Sequence, residues 1–308
     1  MKIIITGSSG FLGKSLCDYL KGQGCELMEL DSKNCDLRNS ENLKSFSGVK
    51  YDYLVHLAAW TQAGDFCMKH PGEQWIVNQQ INTNVLAWWA DQQPQSKLIF
   101  MGTSCVYSPE GTLCEREYML GEPIESLYTY AMTKRMLYEG ARALSKQFDL
   151  RYLCAVPSTL YGAGYHNDGR QMHFIFDLIR KIIRGKEYGE PVVLWGDGHQ
   201  KRELVLVDDF VRILWELMQR FDNEIFNIGA GEEHSIRSFA ECICNEVNYP
   251  TEKIEYDISR YVGAKSKCLN VEKIRDALPQ YNLQSLDYGL KRTVQWFYDS
   301  KAYGEPAK

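Results

Sequence analysis

Lys2-Ile3-Ile4-Ile5-Thr6-Gly7-Ser8-Ser9-Gly10-Phe11-Leu12-Gly13 opens the chain, and its reading decides the fold. A β-branched run reads as a strand. Glycines at 7, 10 and 13 read as a tight turn, and an amphipathic helix is expected over 11–21. Strand, glycine turn and helix in that order form the phosphate-cradling unit of dinucleotide-binding proteins. Residues without a Cβ let the backbone approach a pyrophosphate, and the helix aims its first amides at the charge. Gly7, Gly10 and Gly13, with Ser9, Phe11 and Leu12 between them, are therefore candidate cofactor contacts.

Outward from that unit the chain alternates strands and helices. Strands are expected at 26–30, 51–57, 97–101 and 151–156, and helices at 73–91 and 126–147. Such alternation predicts an α/β fold, a doubly wound parallel sheet of the Rossmann type. After Pro157 the pattern loosens, with helices expected near 172–185, 208–220, 236–247 and 285–298. The expected division is a dinucleotide-binding domain over 1–160 and a smaller C-terminal α/β substrate lobe over 161–308, some of whose segments return to the first domain.

Asp31 closes the second strand. A carboxylate there accepts hydrogen bonds from adenosine ribose hydroxyls and repels a 2′-phosphate, so NAD is expected over NADP. A surface aspartate is the bland alternative. Asp36 and Leu37 are placed at the adenine edge. Leu57, Ala58 and Ala59 offer small or apolar residues where backbone passes the cofactor, and Asn78 and Pro157 complete the expected cofactor set.

Tyr130 and Lys134 stand four apart in a helical stretch, hence on one face. An ammonium near a phenol stabilises the phenolate, so Lys134 is expected to lower the Tyr130 pKa and to hold a nicotinamide ribose. Thr103, in Gly102-Thr103-Ser104-Cys105-Val106-Tyr107 after the strand at 97–101, can share a proton with Tyr130 at the sheet's carboxyl edge. Tyr-x-x-x-Lys alone is common by chance; the three signals in order are not. A non-catalytic dinucleotide-binding protein would be the reading if the tyrosine or lysine were missing, and both are present.

On these segments the chain resembles the extended short-chain dehydrogenase/reductase family of nucleotide-sugar epimerases, dehydratases and reductases. The resemblance runs from Met1 to about Tyr298. Val156-Pro157-Ser158-Thr159-Leu160-Tyr161-Gly162, Val193 to Gly198, Arg202 to Asp209 and Phe226 to Gly229 bring it nearest to the GDP-L-fucose synthase subfamily. The resemblance implies a reaction at C4 of a GDP-linked hexose or heptose, with epimerisation at C3 and C5 by Cys105 and His173. A C4 ketone acidifies the neighbouring C–H groups, which suits a thiolate and an imidazole. A buried core thiol and a capping histidine are the alternatives for those two. It also implies substrate contacts at Ser104 and at Arg202, whose fork suits a diphosphate. Trp195 would pack beside the nucleotide or fill the lobe, and Lys181 would reach phosphate or stay solvated. A homodimer through a helix bundle is implied too, with Trp88, Trp89 and Tyr138 as contacts or as core.

Departures from that subfamily are Asp31 where basic residues serve NADPH, Thr103 for serine, Thr159 for asparagine, and the segment 59–71. The second reading they leave open is a 4-epimerase or 4-dehydrogenase with tightly bound NAD.

The bulk numbers fit an ordinary globular protein. The 308 residues are 44% hydrophobic and 24% charged, with net charge −5. That charge gives no general attraction to nucleic acid or to an anionic membrane. No apolar stretch approaches the roughly 20 residues of a membrane span. Ten cysteines show no Cys-x-x-Cys pair, so no metal site is expected. A cytoplasmic location is the default expectation.

Overall fold

The computed structural model describes residues 1–259 and 265–305. Six strands, β1 (Lys2–Thr6), β2 (Glu26–Leu30), β3 (Tyr53–His56), β4 (Lys97–Met101), β5 (Tyr152–Pro157) and β6 (Glu224–Ile228), form one sheet in the order β6-β5-β4-β3-β1-β2. Every pairing in it is parallel. Ile3, Ile4 and Ile5 are all fully buried, although successive side chains point to opposite faces. Both faces are therefore covered, as a parallel sheet requires. Edge strand β2 alternates exposure instead.

The covering helices are α1 (Phe11–Gly22), α2 (Pro71–Gln92), α3 (Tyr128–Phe148) and α5 (Val207–Arg220). Three others, α4 (Phe174–Tyr188), α6 (Ile236–Val247) and α7 (Leu286–Ser300), build a second core with the paired strands Val192–Trp195 and Ile254–Asp257. Local chemistry sets their ends. Pro71 starts α2 with a fixed φ, and Ser235 and Ser285 cap α6 and α7 by accepting backbone N–H bonds. Gly189 and Asn248 close α4 and α6 in the left-handed region.

Winding reverses between β1 and β3. From β1 the chain moves outward to β2, then returns to the other side of β1 for β3. Ligands of such sheets bind at the carboxyl ends flanking this reversal. Strand β6, which carries the 226–229 motif, is a segment of the second half that returns to the sheet. It pairs with β5, so residues 207–228 and 269–278 join the first core.

Trp88 and Trp89 sit in that core. Their indole N–H groups donate to Ser47 Oγ and the Ser96 carbonyl, both at 2.9 Å. Tyr138 packs edge-on against Tyr118 at 5.2 Å. Core packing, not contact with a second chain, accounts for the two tryptophans. Among the described residues no helix is long and apolar enough to cross a membrane, and no cluster of three metal-ligating side chains occurs.

Candidate active site

The glycine turn is a cradle that Cβ atoms would fill. Gly7 has φ +73°, and a Cβ there would lie 2.8 Å from the Ala58 nitrogen. A Cβ on Gly13 would lie 2.2 Å from the Gly7 carbonyl oxygen and 2.7 Å from that of Ser8. The first turn of α1 therefore presses on the end of β1, and β1 on the end of β3. Helix α1 starts without a side-chain cap, so its first amides remain for an anion. The residues present fit a dinucleotide pyrophosphate. Phe11 lies at the seam between the cores, edge-on to Tyr165 at 5.2 Å and to Phe176 at 5.6 Å. Leu12 packs against the first core.

At the end of β2, the Asp31 carboxylate accepts the backbone N–H groups of Lys33 (2.9 Å) and Asn34 (3.3 Å). These bonds, Lys33 foremost, hold it below the usual carboxylate range, with further help from the Ser9 hydroxyl. Asp31 thus joins the turn after β2 to the glycine loop. Asp36 is engaged by Arg38, whose Nη2 lies 2.6 Å away, and Leu37 is buried beside it.

Beyond β3, the Leu57 and Ala58 nitrogens bond to the Thr6 carbonyl (3.1 Å) and Thr6 Oγ1 (3.3 Å). Buried His56 bridges Thr6 Oγ1 (2.8 Å) and Asn82 Oδ1 (3.2 Å). Burial drives its pKa down to about 4, so it is neutral at physiological pH. Ala59 is half-buried in the loop that follows. The Asn78 amide clamps that loop, accepting Trp60 N–H at 2.8 Å and donating to its carbonyl at 3.0 Å. Pro157 ends β5, paired with Ile228.

Beta strand β4 and helix α3 bring the hydroxyls together. Thr103 caps the turn Ser104–Val106 by accepting the Cys105 N–H at 3.3 Å. Its side chain also hydrogen-bonds the Tyr130 phenol. Ser104 is half-buried in the same turn. Lys134 reaches back under the sheet's end, and its Nζ donates to the Met101 carbonyl at 3.0 Å. The next residue, Arg135, holds the following loop through the carbonyls of Val106, Leu120 and Gly121.

The expected lowering of the Tyr130 pKa by Lys134 does not hold here. Burial is the largest influence on the phenol and pushes it well up, and the Cys105 and Cys67 thiols act the same way. Burial brings Lys134 down to about 8. Tyr130 is therefore a protonated phenol at neutral pH, suited to giving a proton.

From the second half of the chain, His173 and Arg202 share the surroundings of Lys267, whose Nζ stands beside Cys105, while Lys181 and Trp195 meet each other instead. His173 stands before α4, its backbone N–H on the Tyr165 hydroxyl at 3.3 Å and its Nδ1 buried without a partner. Burial, then the charges of Lys267 and Arg202, hold it down to about 4. Arg202 lies on the two-residue strand Lys201–Arg202, paired with His234–Ser235. Lys181 is not simply solvated. Its Nζ donates to the Val193 carbonyl and meets Asp177, both at 3.1 Å. Trp195 is 49% exposed, which removes the core-filling alternative, and its ring centroid lies 6.0 Å from Lys181 Nζ.

Two groups escaped the sequence reading. Glu203, 1% exposed, accepts the N–H groups of Gly231 (2.7 Å) and Leu269 (3.0 Å). Lys267 stands 3.1 Å from Cys105 Sγ. A charged residue beside Arg202 and a lysine in a polar stretch carry no local signal of burial or contact.

The profile of the NAD dependent epimerase/dehydratase family matches residues 3–229. The chain belongs to that family. It is accordingly a nicotinamide-dependent enzyme with a Rossmann-type sheet. Among curated relatives, GDP-L-colitose synthase of Yersinia pseudotuberculosis is 25% identical over 98% of this chain and 99% of its own length. GDP-L-fucose synthase 1 of Arabidopsis thaliana is 28% identical, covering 96% and 93%. A GDP-L-fucose synthetase from Naegleria fowleri, crystallised with NADP, superposes with TM-score 0.88 at 25% identity, covering 97% of this chain and 93% of that one.

Proposed function

We propose that this chain reduces the C4 ketone of a GDP-linked 4-keto-hexose or 4-keto-heptose and epimerises the carbons beside it. The observation that carries the reading is the cluster of Thr103, Tyr130 and Lys134 at the end of β4, with Cys105 on the same turn. The kinds of relative it matches, sugar synthases named for GDP-linked products, support it.

The glycine cradle and Asp31 would hold the dinucleotide, with Leu37, Ala58 and Pro157 near it and Lys134 on the nicotinamide ribose. The nicotinamide supplies a hydride. Tyr130 and Thr103 donate hydrogen bonds to the ketone oxygen, and Tyr130 gives up its proton as that oxygen gains charge. A phenol held protonated by burial suits this direction over oxidation of an alcohol. Residues of the second core, Arg202 with Trp195 and Lys181, would take the GDP part. A homodimer through α2 and α3 belongs to the same reading.

Asp31 points to NAD. Its fixed carboxylate would face a 2′-phosphate with like charge, so NADH should exceed NADPH in kcat/KM by about tenfold, ~1.4 kcal/mol. It is also what favours the second reading, a 4-epimerase that keeps its NAD. One set of assays separates the two. GDP-, UDP- and dTDP-linked 4-keto-6-deoxyhexoses are offered with NADH or NADPH in D2O. Oxidation of NADH with the GDP sugar and deuterium at C3 and C5 is expected. Interconversion of an intact nucleotide hexose without added dinucleotide would replace this reading with the second one.

A further inference from the structure

Lys267 and Cys105 lie 162 residues apart in the chain, and Nζ stands 3.1 Å from Sγ. The contact is built from both sides. Thr103 locks the turn that presents Cys105. The Lys267 segment is tied down by two carboxylates. Glu233 accepts the Lys267 N–H at 3.1 Å and the Ser266 hydroxyl at 2.8 Å, and buried Glu203 accepts the Leu269 N–H at 3.0 Å. A carboxylate under two or more backbone N–H groups is a strong anchor. Here it fixes a flexible lysine stem where a freely solvated one would wander.

We infer that Lys267 is a positioning residue that holds Cys105 as a thiolate, the form in which it can serve as the base that the resemblance already implies. The inference rests on the reading of the site given above. The groups facing the thiol are Lys267, Thr103, Tyr130 and Cys67. Burial alone would raise the thiol pKa. The Lys267 charge, and hydrogen bonds from Thr103 and Lys267, outweigh it and set Cys105 below the usual thiol range. Cys67 moves the other way, raised by burial, and remains a thiol. His173, neutral partly because Lys267 and Arg202 repel its protonated form, adds no competing cation.

The step balances. Sulfur takes the proton from C3 or C5, the C–H electron pair moves into an enolate, and charge passes from sulfur to the C4 oxygen, which the Tyr130 and Thr103 hydroxyls hold. Return of that proton from sulfur restores the carbon. Inversion takes a proton delivered to the opposite face by a second donor, the part the resemblance gives the neutral His173 imidazole, and leaves Cys105 as the thiol and His173 short of the proton it gave. Lys267 touches no reacting carbon and acts through Cys105, as a positioning residue.

Alkylation of Cys105 by iodoacetamide, followed by peptide mass spectrometry across pH, tests this without substrate. The wild-type inflection should lie below the ordinary thiol value of about 8.5. Lys267→Met should raise it and slow alkylation at pH 7 about tenfold or more, while Lys267→Arg keeps the wild-type profile. Melting temperatures of the variants check that both fold. An unchanged profile in folded Lys267→Met overturns the inference. The shifted profile, together with deuterium uptake at C3 and C5 that Lys267→Met reduces and Cys105→Ser abolishes, supports it in full. If Cys105→Ser keeps full uptake, the thiolate is not the base, and the reading of Cys105 fails even though the charge pair stands. Absence of any ketone reduction by wild type would sink the reading of the site instead.

Discussion

Tyr130→Phe lowers kcat for ketone reduction by about a thousandfold, within the 10²–10⁴ range of positioned acid catalysts, and leaves dinucleotide affinity within about threefold. The size follows from the surroundings of the hydroxyl. Burial keeps the phenol protonated, and Thr103 hydrogen-bonds it. Thr103 already accepts the Cys105 N–H, and an aliphatic alcohol is a far weaker acid than a phenol. The ring fits the same slot in the variant, so the fold survives. Steady-state rates beside cofactor titration by tryptophan fluorescence measure both numbers. A variant within tenfold of wild type would mean that another group protonates the oxygen.

Gly13→Ala should cost at least about a hundredfold in dinucleotide affinity, ~2.7 kcal/mol, and destabilise the fold by about 2–4 kcal/mol. The added carbon would meet the Gly7 carbonyl oxygen at 2.2 Å and the Ser8 carbonyl oxygen at 2.7 Å. Both are backbone atoms at the end of β1, so no side chain can swing aside. Helix α1 must tilt away or the turn must open, and either movement takes the amides from the pyrophosphate. Gly22→Ala, in the same helix with nothing within 4 Å of its Cβ, is the control. It should leave binding unchanged and add up to about 1 kcal/mol of stability. Isothermal titration and urea unfolding on both variants give the comparison. Equal binding by the two would show that the close approach at residue 13 is not what shapes the cradle.

The first half of the molecule was legible because its signals are local. A β-branched run, three glycines and an amphipathic stretch declare β1, the turn and α1 within a few residues. Tyr130 and Lys134 declare a shared helix face by spacing alone. What escaped depends on distant contacts. Strand β6 follows a helix of the second half yet pairs with β5, and nothing in Glu224–Ile228 names that partner. Lys267 gains its meaning only from a thiol on the turn after β4, and Glu203 only from the backbone amides folded onto it. The direction of the Tyr130 shift was misread for a related reason. Spacing places an ammonium on the right face, but only the fold shows it donating to Met101 and shows burial setting the direction of the phenol's shift.

Reduction of a GDP-linked 4-keto-6-deoxyhexose with dinucleotide deuterated at C4 of the nicotinamide, prepared in both 4R and 4S forms, reads the chemistry at its source. One deuterium at C4 of the sugar from a single one of the two forms is expected, at a rate that collapses in Tyr130→Phe. Sugar product carrying no deuterium at C4 from either form would contradict hydride delivery at that carbon.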